Sequence, residues 1–503
     1  MLEEILNKLH HISDLNVLSR TSVEQYKNST KDIKEIAKEL EVGNILEGSI
    51  RMYGDRFRIN VQLIQSKTGF DLWSAEFDGV LSDTIFIVQS NIAEEIAMKL
   101  QATITPLERQ QIEKAPTTNY LAYEKYIQGY LFLSEYWRIF NNEDIEMAEK
   151  LFRESLEIDP EFAMGYSGLA DIYLNQGKLD SFNYFADKII EIDPNNYWGY
   201  IWKGWFYRNE HEIDKALEFF EKALELAPNE GNTYYELGRL YCDKMQDYIT
   251  GIPYLKKAIE IGYKKKIVEG LATHYCNMGR VYLNIGDYEK AKHYYKTALE
   301  INPKCFIIYE YCWLLGIETA PELAFETADS LICNIPTCEH HCNSIKSFAL
   351  YLSGEISRAE AHFIKYEAQF EIGIPNTADS VWIVPIYKAL GKEQQALSIL
   401  NSCRSSLQNK LKEREHWWTN LSLSLIHAML DDKEKAVEYL SNAVDLGLKF
   451  GWHDFIEIYP PFENLWDDPE FKAIVKRAQD EKAAIRVQVR EMEERGELDI
   501  LSL

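Results

Sequence analysis

Two groups of residues in this chain could carry chemistry. Cys333, Cys338, His340, His341 and Cys342 lie within ten positions, and thiolates and imidazoles that close suit zinc. The spacing Cys-x4-Cys-x-His-His-Cys matches no strong zinc-ligand pattern, and Pro336 places it in a loop between helices. A loop with half-buried thiols is therefore the plainer reading, and no metal is assigned. The second group could bind rather than ligate: Trp198, Trp205, Arg208, Tyr235, Arg239 and Arg280. Aromatic and Arg side chains dominate interface hot spots. Two guanidiniums, Arg239 and Arg280, could clamp a carboxylate, the alternative being pairing with neighbouring Glu or Asp. The pair His10-His11 reads as a solvated helix end. No Gly-x-x-x-x-Gly-Lys-Ser/Thr, Gly-x-Gly-x-x-Gly, His-Glu-x-x-His or Gly-x-Ser-x-Gly occurs. No catalytic residue and no cofactor is expected.

The elements that must position the binding group repeat. Leu156-Glu-Ile-Asp-Pro160, Ile190-Glu-Ile-Asp-Pro194, Leu224-Glu-Leu-Ala-Pro228 and Leu299-Glu-Ile-Asn-Pro303 share one text, and the first three prolines are 34 residues apart. Within a unit, Tyr200, Gly204 and Tyr207 share one helix face, and Ala216, Phe220 and Ala223 share the face of the next helix. The same grammar gives Tyr166, Ala170 and Tyr173, then Tyr234, Gly238 and Tyr241, then Tyr275, Gly279 and Tyr282. A 34-residue helix–turn–helix period resembles the tetratricopeptide repeat. Such units stack to bury their apolar faces, and the stack offers a concave surface to partners. Weaker units continue at Ala359, Ala396 and Asp432, so about eight or nine are expected over 116–465 in one superhelix. Residues 466–503 read as a charged capping helix and tail.

Residues 1–115 follow another period. In Arg56–Ile64, Phe57, Ile59, Val61 and Leu63 face one way, and Arg58, Asn60 and Gln62 the other, which is a half-buried strand. Strands over Ile45–Tyr53 and Phe70–Phe77 flank it, with a short strand near Val17 and helices over Leu2–Ile12, Lys31–Leu40 and Ile85–Leu100. The fold class is therefore mainly α, an α-solenoid preceded by a small α+β domain with an antiparallel sheet. The blocks Leu18-Ser-Arg-Thr-Ser-Val23, Ile36-Ala-Lys-Glu-Leu-Glu-Val42, Ile45-Leu-Glu-Gly-Ser-Ile-Arg51, Arg58-Ile-Asn-Val-Gln-Leu-Ile64 and Leu72-Trp-Ser-Ala-Glu-Phe77 resemble the TolB amino-terminal (FlgO-like) domain. That resemblance implies a bacterial signalling or regulatory context and supplies no catalytic residue. Relatives open with a strand before the first helix. Its absence here implies a sheet with an unfilled edge, or a truncated chain.

Composition narrows the partners. With 54 basic against 80 acidic residues the net charge is −26, which opposes a nucleic-acid backbone as partner. No run of ~20 apolar residues is present to span a bilayer. Eight scattered cysteines in a chain this large read as reduced thiols in a cytosol-like compartment. A cytoplasmic protein is expected, or a periplasmic one if a membrane helix lies upstream in the native gene. The function expected is non-catalytic recognition of a protein or peptide, as an adaptor or sensor. The alternative is the sensory carboxy-terminal half of a transcription regulator or nucleotide cyclase.

Overall fold

The computed structural model describes residues 2–18, 23, 26, 29–82, 84–139, 141–265, 268–302, 311, 324–326, 339–367, 381, 384–413, 415–448, 456–457 and 459–498. The chain divides into two compact units, residues 1–240 with 257–268 and residues 241–256 with 269–503.

The first unit begins with α1 (Leu2–His10) and α2 (Ile33–Leu40), then strands β1 (Asn44–Tyr53), β2 (Arg56–Gln65) and β3 (Asp71–Val80). The three strands form an antiparallel meander in the order β1-β2-β3. Gly54 (φ 65°) and Gly69 (φ 74°) make the two turns in a left-handed conformation that costs glycine nothing. The alternation read in β2 is realised: Phe57, Ile59, Val61 and Leu63 are buried. They pack under α1 and α3 (Thr84–Lys99) in one core with Ile5, Leu9, Phe86 and Ile92. No strand forms at Val17, where the chain is irregular and the His10 ring bonds the Val17 carbonyl at 3.0 Å. Nor is the His10-His11 pair a solvated end. Both rings are partly buried, and burial together with neighbouring Lys8 pushes His11 down to about 4. α1, which ends at His10, packs on α3 and the short α4 (Pro106–Glu113), and this shields part of both rings from water.

Helix pairs follow: α5 (Tyr120–Ile139) with α6 (Asn142–Ile158), α7 (Ala163–Asn175) with α8 (Leu179–Ile192), and α9 (Tyr197–Asn209) with α10 (Ile213–Leu226). After them come α11 (Gly231–Arg239), then a π turn at Leu240–Met245 and α12 (Tyr248–Lys265), of which residues 241–256 belong to the second unit and 257–265 to the first. The recurrent prolines set the period. A proline excludes the α conformation from the residue before it. Asp159, Asp193, Ala227 and Asn302, each before a proline, cap their helices at φ −135°, −138°, −139° and −141°. Small residues set the helix spacing. A Cβ on Gly204 would meet the Phe220 ring at 2.4 Å, and one on Gly279 would meet Tyr295 at 3.0 Å.

The second unit holds α13 (Val268–Asn284), α14 (Tyr288–Ile301), α15 (Glu339–Leu352), α16 (Ile356–Glu367), α17 (Val384–Ala389), α18 (Glu393–Glu413), α19 (Trp417–Met429) and α20 (Lys433–Asp445). A 3-10 turn (Pro460–Leu465) leads to α21 (Pro469–Glu494). The sequence reads this last helix as a charged cap, yet it is packed along one face. Phe471, Val475, Ala478 and Val489 are buried. Arg486 donates to the Ile285 carbonyl at 2.6 Å, and Glu493 accepts from Tyr282 Oη at 2.8 Å and pairs with Lys290. Gln246 donates to the carbonyls of Leu446 and Gly447 at 3.3 and 3.4 Å. Within this unit, residues near 246–290 therefore touch residues near 446–493.

One expectation about cysteine is corrected. Cys242, Cys276 and Cys403 are free and buried, but Cys342 is disulfide-bonded, to a partner outside the described residues.

Candidate functional site

The metal reading falls mostly outside the described residues, where Cys333 and Cys338 lie. His340 and His341 open α15, with their side chains outside the described set. Cys342 is buried, and its sulfur is committed to a disulfide, so it offers no thiolate. Among the described residues no cluster of three or more His, Cys, Asp or Glu could hold an ion.

The binding group is carried by first helices of repeats. α9 is capped by Asn196, whose side chain accepts from the Trp198 amide at 3.1 Å. That cap starts the helix so that Trp198, Trp202 and Trp205 follow one another along it. The Trp198 and Trp202 rings are 6.0 Å apart, and Trp202 meets Trp205 edge-on at 4.9 Å. Trp202 is buried, and its Nε1 donates to Ser167 Oγ of α7 at 3.0 Å. Trp198 and Trp205 are only partly buried. Two tyrosines outside the row fix the turns: Tyr200 and Tyr234 hydroxyls donate to the carbonyls of Pro194 and Pro228, at 3.0 and 3.1 Å. The same contact recurs one repeat apart.

The guanidiniums have acid neighbours. Arg208 lies 5.9 Å from the Trp205 ring and pairs with Glu236 of α11, whose side chain is 4% exposed. Arg239 is 3.9 Å from the same carboxylate and 5.4 Å from the Tyr235 ring. In the second unit Arg280 is 3.7 Å from Asp243, and both are mostly buried. This is the local pairing that stood as the alternative to a carboxylate clamp. Each guanidinium is thus already neutralised in part within its own unit.

Two groups were missed by sequence reasoning. Asp171 on α7 bonds Asn175 Nδ2 at 3.0 Å and also accepts from Trp137; burial outweighs both and pushes its carboxyl up to about 6. Its position could have revealed it, because Asp171, Trp205, Arg239 and Arg280 each follow the small residue of their unit, Ala170, Gly204, Gly238 and Gly279. Lys203 is buried as well. Its ammonium bonds Asn183 at 2.6 Å and Asp187 at 2.8 Å, and lies 5.2 Å from the Tyr207 ring. Nothing in the 34-residue pattern singles it out.

Tetratricopeptide repeat models match residues 185–218, 231–261 and 272–305, so the chain carries tetratricopeptide repeats. The "Putative adenylate cyclase 3" of Rhizobium meliloti is 33% identical over 172 residues, which is 34% of this chain and 28% of that protein. The chain thus matches little more than a quarter of that relative's length. Among solved structures, a tetratricopeptide repeat protein from Parabacteroides merdae is 17% identical, with TM-score 0.36, covering 54% of this chain and 98% of that one. TTC0263 of Thermus thermophilus is 19% identical, with TM-score 0.32, covering 39% and 98%. YrrB, described as a tetratricopeptide protein with an unusual peptide-binding site, is 24% identical, with TM-score 0.27, covering 37% and 92%. Among the described residues no helix is long and apolar enough to cross a membrane.

Proposed function

We propose that this chain is a non-catalytic scaffold that binds a protein or peptide segment through the first helices of its repeats, as the adaptor or sensor part of a bacterial regulatory system. One observation carries the reading. The repeats matched at 185–218 and 231–261 present Trp198, Trp205 and Tyr235 as rings that are only partly buried, Trp198 and Trp205 packing one side on the core and keeping part of their surface exposed. Rigid aromatic surface flanked by Arg208 and Arg239 is what binding hot spots are made of. Photo-crosslinking from a reactive residue placed at position 205 should join one discrete partner segment. Replacing Trp205 and Arg239 together by Ala should weaken that partner by about 2 kcal/mol or more. A partner that binds the double variant as tightly as the parent removes this face. Arg280, at the equivalent repeat position in the second unit, is tested by its own Ala variant.

The match to the Rhizobium meliloti protein favours a second reading, that this chain is the sensory portion of a nucleotide cyclase or transcription regulator. The TolB-like blocks of residues 18–77 fit that context. Fusing the chain to a cyclase domain and finding its output altered by the crosslinked partner would support it. An output indifferent to that partner would leave the scaffold reading alone.

A further inference from the structure

The sheet of the first unit has an edge and a face that its own described residues do not cover. β1 pairs only with β2. The register places Ile50 opposite Ile59 and Met52 opposite Phe57, so these four share the core face. Ile59 and Phe57 are 3% and 2% exposed, whereas Ile50 and Met52 are 43% and 46% exposed. Among the described residues no element covers this apolar stripe, although it is aimed at the core.

A cleft of about 1720 Å³ lies along this edge. Its walls include Leu9 of α1, Ile36 of α2, Ile85 of α3 and Ile127 of α5. It touches β1 on both faces, Leu46 and Ile50 on the core side and Glu47 and Ser49 on the other, and reaches Asn60 and Gln62 of β2. Protein interiors are close-packed, and a hollow this size is far larger than the voids they tolerate. A space that wraps one strand from both faces has the form of a slot beside that strand. The charged side chains also agree in sign: Glu41, Glu47 and Glu124 line the cleft, and no Lys, Arg or His does among the described residues.

We infer that this cleft accepts an extended peptide segment that pairs with β1 as a fourth strand. Its apolar side chains alternate with basic ones. Main-chain hydrogen bonds to the free edge hold the segment, and side chains choose it. Inward residues cover Ile50 and Met52; outward ones lie beside Glu47, which shares the solvent face with Gln62. A partner with an acidic outward residue beside Glu47 meets a carboxylate instead and is disfavoured there. This surface is separate from the repeat face above, so either can fail without the other.

The test uses the full chain and a fluorescein-labelled decapeptide of alternating Val and Lys, matched to the ten residues of β1. Anisotropy should show saturable binding, weakened about tenfold or more when alternate backbone amides are N-methylated, and by as much when Lys is replaced by Glu. Glu47→Lys and Ile50→Asn, both at exposed positions, should each weaken the Val/Lys peptide while circular dichroism stays unchanged. An N-methylated peptide that binds as well as its parent overturns the strand pairing. Affinity indifferent to both protein variants, or no saturable binding, overturns the site. Sedimentation showing a dimer that Ile50→Asn disperses would give the slot to a second copy of this chain and overturn a separate partner.

Discussion

α9 and α19 are both first helices of repeat pairs, each of 13 residues, one in each unit. In α9 the buried residues are Gly199, Ile201, Trp202, Lys203 and Gly204, and both Trp198 and Trp205 keep part of their surface. In α19 every residue from Thr419 to Ala428 is buried, polar ones included. Ser424 Oγ donates to the Ala436 carbonyl at 2.6 Å, and the His427 ring faces Asp432 at 3.0 Å and stacks on Tyr439. Asn464, from the 3-10 turn, donates to the Ala428 carbonyl at 3.1 Å. One supersecondary unit thus serves two ends. Where later segments of the chain close over a first helix, its inner face becomes core. Where they do not, part of it stays exposed, as at Trp198 and Trp205.

The sharpest way to break this comparison is truncation. Leu421→Ala in α19, at 0% exposure, should cost about 2–5 kcal/mol, whereas Trp205→Ala in α9 should cost about 1–2 kcal/mol despite removing a larger ring. Equal costs would mean that α9 is as enclosed as α19. Arg208→Ala comes next. It strips the main partner from a carboxylate that is 4% exposed, so a loss of about 2–4 kcal/mol is expected. Adding Glu236→Gln should recover most of it, and a double variant as unstable as the single would show that the ring contact with Trp205 matters more than the charge. Smaller still is the glycine pair. Gly204→Ala forces a Cβ to 2.4 Å from Phe220 and should cost about 1–3 kcal/mol; Gly279→Ala, at 3.0 Å from Tyr295, should cost less. Thermal unfolding of both variants would order them.

These particulars show what a sequence reveals. The helix ends at Ile158, Ile192, Leu226 and Ile301 were readable because a proline two residues later dictates them locally. The β2 strand was readable because one face is buried and the period of two is strict. The repeat register located Trp205 and Arg239, but what surrounds them depends on residues elsewhere. Arg208 finds Glu236 at a distance of 28 residues, and the short-range pattern gives no charge partner there. The burial of His11 and the packing of α21 depend on segments roughly 100 and 200 residues away, which no local period encodes. Cys342 looked like a free thiol because spacing alone does not fix a disulfide.

The smallest expected effect is in the first unit's response to acid, where two groups act with opposite sign. Burial holds His11 near 4, below its ordinary 6.5, so between those values the unfolded chain binds more protons and stability is lost as pH falls. Burial raises Asp171 from 3.8 to about 6, so the folded chain binds more protons in that window and stability is lost as pH rises. Between about 4 and 6 the two slopes oppose each other, and the parent should change little from this pair. Asp171→Asn removes that opposition and leaves His11, together with His10, whose burial also lowers it. It should gain about 1–2 kcal/mol at pH 7, because an ionised carboxylate is no longer confined against Trp137, and its stability should then fall on acidification. His11→Gln should do the reverse and make the unit more stable near pH 4.5 than near 6.5. Hydrogen exchange of amides in α1 and α7, corrected for intrinsic rates, reads both. An Asp171→Asn variant no more stable than the parent at pH 7 would show that this carboxylate is comfortably ionised. The α7 face would then be wetter, and α9's neighbour more open, than the contrast with α19 requires.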